Sequence, residues 1–156
     1  MENRPVFALM YDFDHTLSPK DMQEYAFIPG LGMEPQDFWR VCDETAKKHG
    51  MDQILAYMLV MLEKSRGKQL VTHETLRDLG KSVRLFPGVS GWFRRVNAYA
   101  ARRGLQAEHY ILSSGLREII EGTPIAGEFR EIYAASFCYD ENGVPFWPAM
   151  AVNYTS

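Results

Sequence analysis

Two carboxylates, Asp12 and Asp14, stand in the stretch Asp12-Phe13-Asp14-His15-Thr16-Leu17, directly after the apolar run Val6-Phe7-Ala8-Leu9-Met10-Tyr11. Acids at i and i+2 on an extended chain point the same way, so both can enter one pocket. Carboxylates that close repel unless a cation lies between them. A hard divalent ion such as Mg2+ takes oxygen ligands and would draw in a phosphate as well. The chemistry this pattern supports is nucleophilic attack by Asp12, with Asp14 as general acid and base and both carboxylates as Mg2+ ligands. Thr16 adds a hydroxyl donor for a phosphoryl oxygen. A plain turn cap at a strand end is the other reading of the same acidic pair.

A second hydroxyl-rich stretch, Ser113-Ser114-Gly115, follows the apolar Tyr110-Ile111-Leu112. Backbone N–H groups in this turn, and a helix N-terminus opening there, would suit an anion. Ser113 fits a phosphate-binding slot best because it directly follows the apolar run; Ser114 is second. A simple N-cap would use the same residue types.

The elements that must position these residues follow from apolar periodicity and breakers. The run before Asp12, bounded by Pro5, reads as a buried strand that delivers Asp12 to its carboxyl end, the edge where open α/β sheets bind ligands. From 18 to 86 the pattern is helical. A short helix is predicted within 21–27, a longer one over 35–48 stopped by Gly50, and one over 51–65 that is apolar around more than half its surface. Thr72 is the predicted N-cap of a further helix ending near Phe86-Pro87-Gly88. Beyond Gly88 a helix terminated by Gly104 leads to a strand over 107–112, then a helix opening at Ser113 and a third strand over 132–139. Asn142-Gly143 is a turn signal for a return strand within 144–154, which Pro145 and Pro148 confine to a sheet edge. Arg94, Arg95, Arg102 and Arg103 read as a solvated helix face.

The sequence D-x-D-x-T-L after an N-terminal apolar strand resembles the first motif of the haloacid dehalogenase-like (HAD) hydrolase superfamily. The strand ending at Ser113 resembles its second motif. The helical insertion looks like the mobile cap of the subgroup that includes phosphoserine phosphatases, and Leu85-Phe86-Pro87-Gly88-Val89 is similar to the family's return from cap to core. The resemblance implies an α/β fold with a Rossmann-like doubly wound parallel sheet, core at 1–17 and 87–156, and a helical cap at 18–86. It implies a Mg2+-dependent phosphatase acting on a small phosphorylated metabolite through an aspartyl-phosphate on Asp12, with Thr16, Ser113, Ser114 and Gly115 around the phosphate.

One departure from the family pattern matters. The family's third motif supplies a lysine and its fourth supplies further acids for the metal, yet no lysine follows Lys81 here. Asp140-Glu141 precedes Asn142-Gly143 and reads as turn chemistry. The expectation is an N-terminal part of a longer enzyme, inactive alone, whose first strand is left as an apolar edge open to dimerisation. A non-catalytic HAD-like scaffold or a regulatory phospho-binding module is the alternative. Against a phospho-accepting receiver stands the helical insertion directly after the first strand.

Composition bounds these readings. A chain of 156 residues with 46% hydrophobic and 13% aromatic content can bury a sizeable core. Net charge −3 argues against a nucleic-acid binder. Cys42 and Cys138 have no metal-ligand or disulfide spacing. The longest apolar run, 54–62, is too short for the roughly 20 residues of a membrane span. The N-terminus lacks a signal-peptide pattern, making the cytoplasm the default. Lys20, Glu24, Arg40 and Lys47 are candidate cap groups near substrate, each also suited to plain surface solvation.

Overall fold

The computed structural model describes residues 4–154. Its sheet holds β1 (Val6–Tyr11), β2 (Gln106–Leu116), β3 (Glu131–Tyr139) and β4 (Pro145–Met150), in that spatial order. β1 and β3 both pair with β2 in parallel, and β4 returns antiparallel along β3. This is the expected α/β arrangement, with the carboxyl ends of the parallel strands at one edge. Tyr11 pairs with Ile111, so Asp12 and the Leu112-Ser113-Ser114 segment emerge side by side.

β1 is less covered than its composition suggests. Among the described residues it has a strand on one side only, and Val6, Phe7 and Met10 are 55%, 57% and 67% exposed. An unbroken apolar run does not distinguish a central strand from an edge strand.

The helices follow their start and stop signals. α1 (Phe27–Gly30) is short and is preceded by a 3-10 turn at Met22–Glu24. α2 (Pro35–His49) begins with proline in its first turn and ends at Gly50 in the left-handed conformation. α3 (Gln53–Ser65) is capped by Asp52, whose side chain accepts the N–H groups of Ile54 and Leu55. Thr72 caps α4 (His73–Leu79) in a reciprocal capping box with Thr75. The helix stops at Leu79 and tightens into a 3-10 turn at Gly80–Ser82 instead of continuing towards Phe86. α5 (Val89–Ala101) then leads into β2. Among the described residues, no helix is long and apolar enough to cross a membrane.

The predicted helix opening at Ser113 is corrected: β2 continues through Ser113, Ser114 and Gly115, and α6 (Arg117–Glu121) starts only afterwards. The Ser113 hydroxyl accepts the Gly115 N–H at 3.0 Å, and the register with β3 shifts between Ser113 and Leu116. A local side-chain bond of this kind competes with helix initiation.

One continuous hydrophobic cluster unites insertion and sheet, from Phe13 and Leu17 through Phe38, Met58 and Met61 to Ile111, Ile119 and Phe137. Where the chain enters and leaves the insertion, the Phe86 N–H donates to the Leu17 carbonyl at 2.9 Å. α4 crosses α6 with Gly80 and Gly122 at the contact, where a Cβ on either would collide with backbone of the other segment.

Candidate active site

β1 ends at Tyr11, and the chain then coils about one buried residue. The Phe13 carbonyl accepts the N–H groups of Thr16, Leu17 and Ser18 at 3.2, 2.8 and 3.2 Å, and His15 takes a left-handed φ of 60°. Extended geometry therefore stops before Asp14. In place of one pocket shared by both acids, the structure has two adjoining cavities.

Asp12 is exposed in a cavity of about 500 Å3 that is also lined by Asp52, Leu112 and Ser114. Its Oδ1 accepts the Phe13 N–H at 2.7 Å. Asp14 lines a smaller cavity of about 170 Å3 with Asp21, Gln23, Trp39, Tyr57 and Gly115. Ile54 and Ser114 border both cavities.

The environment of Asp14 changes its chemistry. Burial pushes its carboxyl up to about 8, Asp21, Asp12 and Glu24 push the same way, and the Met22 N–H, 2.9 Å from Oδ1, opposes them. Burial thus favours the protonated form of Asp14. Asp21 is also raised by burial, with His15 at 3.2 Å working against that shift.

The predicted phosphate groups separate in space. Ser113 is 2% exposed, spends its hydroxyl on Gly115 and is absent from the walls of both cavities. Ser114 sits at both, and its carbonyl accepts the Tyr57 hydroxyl at 2.7 Å. Gly115 lines the smaller cavity, where a Cβ would meet the Met22 thioether and come 3.2 Å from Asp14 Oδ2. A side chain at this position would have to displace the Met22 tip and press on Asp14. Thr16 is exposed and lines neither cavity.

Sequence reasoning missed Gln23, Trp39, Asp52 and Tyr57, which the helical insertion folds over the strand ends. Asp52 was legible as an N-cap, but the others look like ordinary helix residues. Of the cap groups singled out, Arg40 pairs with Asp37 and Glu44 on the surface. Glu24 accepts the Trp39 indole N–H at 3.0 Å. Lys20 and Lys47 line neither cavity.

Behind β1 lies a chain of hydrogen bonds. The Trp92 indole donates to the Tyr11 hydroxyl at 3.0 Å, Tyr11 meets His109 Nδ1 at 2.9 Å, and His109 Nε2 meets Asn97 Oδ1 at 2.8 Å. This order of donors assigns the imidazole proton to Nε2. His109 is buried, which lowers its proton affinity and keeps it neutral.

The donor set suits Mg2+ in type, since Asp12 and Asp14 are hard oxygen ligands close enough for one charge to act on the other. Among the described residues, no three His, Cys, Asp or Glu side chains gather as a metal cluster.

Comparison with known proteins accords with this geometry. The chain is 29% identical over 158 residues to an uncharacterized protein of Borreliella burgdorferi, an alignment covering 94% of the chain and 54% of the relative. Its fold is similar to that of a phosphoserine phosphohydrolase-like protein from Francisella tularensis, with TM-score 0.56 at 16% identity, covering 93% of this chain and 64% of that one. A phospho-aspartyl intermediate analogue of phosphoserine phosphatase also gives TM-score 0.56, at 14% identity, covering 91% and 62%. The chain therefore spans about half the length of the curated relative and under two thirds of these structures. The family model for haloacid dehalogenase-like hydrolase matches residues 9–148, from within the strand that precedes Asp12 to β4, and the chain belongs to that family.

Proposed function

We infer that this chain carries the acid pair of a phosphoric monoester hydrolase acting on a small cytoplasmic phosphometabolite. The observation that carries the reading is the division of labour between the acids. Asp12 lines the larger cavity, and Asp14, whose burial favours its protonated form, lines the smaller one that adjoins it at Ser114. A carboxylate oxygen of Asp12 attacks phosphorus, the P–O bond to the leaving alcohol breaks, and that oxygen takes the Asp14 proton. Asp14 then accepts a proton from water as the water oxygen attacks phosphorus, which breaks the Asp12–phosphate bond. Ser114 is better placed than Ser113 to face the phosphoryl group, because it borders both cavities.

Mg2+ is the ion this donor set suits; the carboxylates of Asp12 and Asp14 would hold it, and its charge would oppose the burial that raises Asp14. It would supply positive charge between carboxylate and phosphate. Residues 18–86 form the cap over core residues 1–17 and 87–156, with Tyr57 and Trp39 roofing the Asp14 cavity.

The test is Mg2+-dependent hydrolysis of an aryl phosphate by a polypeptide of the relatives' length. Asp12→Asn reduces turnover to background, and Asp14→Asn lowers it by about 10^2- to 10^4-fold, the usual worth of a general acid. Full turnover in Asp12→Asn would remove it as nucleophile. The 156-residue chain by itself, with no lysine after Lys81 to offset carboxylate and phosphate charge, is expected to release phosphate only at background.

A further inference from the structure

The small cavity beside Asp14 has an unusual balance of hydrogen-bonding groups. The Trp39 indole N–H on its wall is committed to Glu24, and the Tyr57 hydroxyl to the Ser114 carbonyl. The Met22 N–H is spent on Asp14 and the Gly115 N–H on Ser113. Gln23 is the exception: it is 1% exposed, it lines the cavity, and its Oε1 has no hydrogen-bond partner. A buried amide oxygen left unpaired is destabilising, so its place here calls for a partner that arrives. The terminal torsion of glutamine is soft, so the carboxamide can turn to present its oxygen to a ligand in the cavity. Asp14 and Asp21 on the same wall add acceptor capacity.

We propose that Gln23 is a specificity-determining residue whose carboxamide accepts a hydrogen bond from an O–H or N–H donor on the leaving alcohol. This rests on the phosphatase reading, because the group next to Asp14 is then the one it protonates. The cavity of about 170 Å3 limits that group to a short arm, since a water molecule occupies roughly 30 Å3 in the liquid. Trp39 and Tyr57 supply apolar walls for its carbon atoms.

The experiment is calorimetric titration of a polypeptide of the relatives' length, in Mg2+, with 2-hydroxyethylphosphonate, 2-aminoethylphosphonate, propylphosphonate and inorganic phosphate. The phosphonates keep the arm while removing the scissile ester. Both donor-bearing probes are expected to bind about tenfold or more tightly than propylphosphonate, the equivalent of one satisfied buried acceptor. The ratio between the amino and hydroxyl probes separates recognition of charge from recognition of a donor. In Gln23→Met and Gln23→Leu, which remove the unpaired oxygen, the preference over propylphosphonate is expected to fall within about twofold while inorganic phosphate still binds. If phosphate binds to wild type but the three phosphonates bind equally, the Gln23 assignment is overturned and the phosphatase reading stands. Preference retained in both variants also overturns it, since Gln23 would then only pack. No binding of phosphate or of any probe would overturn both readings. Should one variant not fold, the other decides, and Gln23→Glu, which keeps an acceptor, is expected to retain the preference.

Discussion

Tyr57 joins cap and strand through one hydroxyl, which donates to the Ser114 carbonyl at 2.7 Å. Tyr57→Phe keeps the ring and leaves that carbonyl without its donor, which costs about 1 kcal/mol, within the usual range for a buried hydrogen bond. Urea unfolding measures the loss, and an unchanged midpoint would show that solvent replaces the hydroxyl. His109 makes a pH prediction. Burial lowers its folded pKa below the unfolded value of 6.5, so the unfolded chain binds the extra proton first. Its contribution is neutral above pH 6.5, and stability is lost as pH falls from there towards the folded pKa. The slope from this one group is at most about 1.4 kcal/mol per pH unit. Protonation would also convert Nδ1 from the acceptor of the Tyr11 hydroxyl into a donor. His109→Gln is expected to flatten the dependence between pH 7.5 and pH 5; an equal slope in the variant assigns it to other groups.

The crossing of α4 and α6 depends on the absence of two side chains. A Cβ on Gly122 would fall on the Arg77 carbonyl, and one on Gly80 would fall on the Ile119 carbonyl. Backbone cannot yield as a side-chain tip can, so Gly122→Ala is expected to cost at least the 1–3 kcal/mol typical of overpacking, roughly. Gly127→Ala is the control, because nothing lies near its Cβ position. Equal melting temperatures for the two variants would mean that the helices separate freely. Since α4 precedes the exit from the insertion, loosening this crossing is also expected to speed hydrogen exchange along α3 and α4.

Across the whole molecule, the sheet has unlike edges. β4 carries Pro145 and Pro148, which cannot donate backbone hydrogen bonds, whereas β1 presents Val6, Phe7 and Met10 without a proline between them. A second strand would therefore add at β1. Sedimentation of the 156-residue chain over a concentration series is expected to show association, and Phe7→Lys is expected to weaken it. A monomer at every concentration would remove β1 as a pairing surface. At the same scale, the continuous core from Phe13 to Phe137 ties the insertion to the sheet. The Phe86 N–H bond to the Leu17 carbonyl adds a further tie where the insertion joins the sheet.

What could be read from residues alone was whatever depends on near neighbours. Gly50 and Thr72 marked helix ends because a left-handed stop and a side-chain cap are local events. The apolar strands leading to Asp12 and Ser113 implied parallel neighbours with a common carboxyl edge, and D-x-D-x-T-L pointed to the family. The placement of each acid was different, because it turns on how the chain coils about the Phe13 carbonyl after β1 ends. Sequence position ranks Ser113 ahead of Ser114 for the phosphate, whereas a register shift against β3 leaves the Ser113 hydroxyl buried on the Gly115 N–H and brings Ser114 to the cavities. Gln23, Trp39 and Tyr57 carry no signal of their own, since only packing across the insertion brings them beside Asp14. Periodicity and capping operate over a few residues, whereas burial, and with it the raised proton affinity of Asp14, is set by contacts between distant parts of the chain.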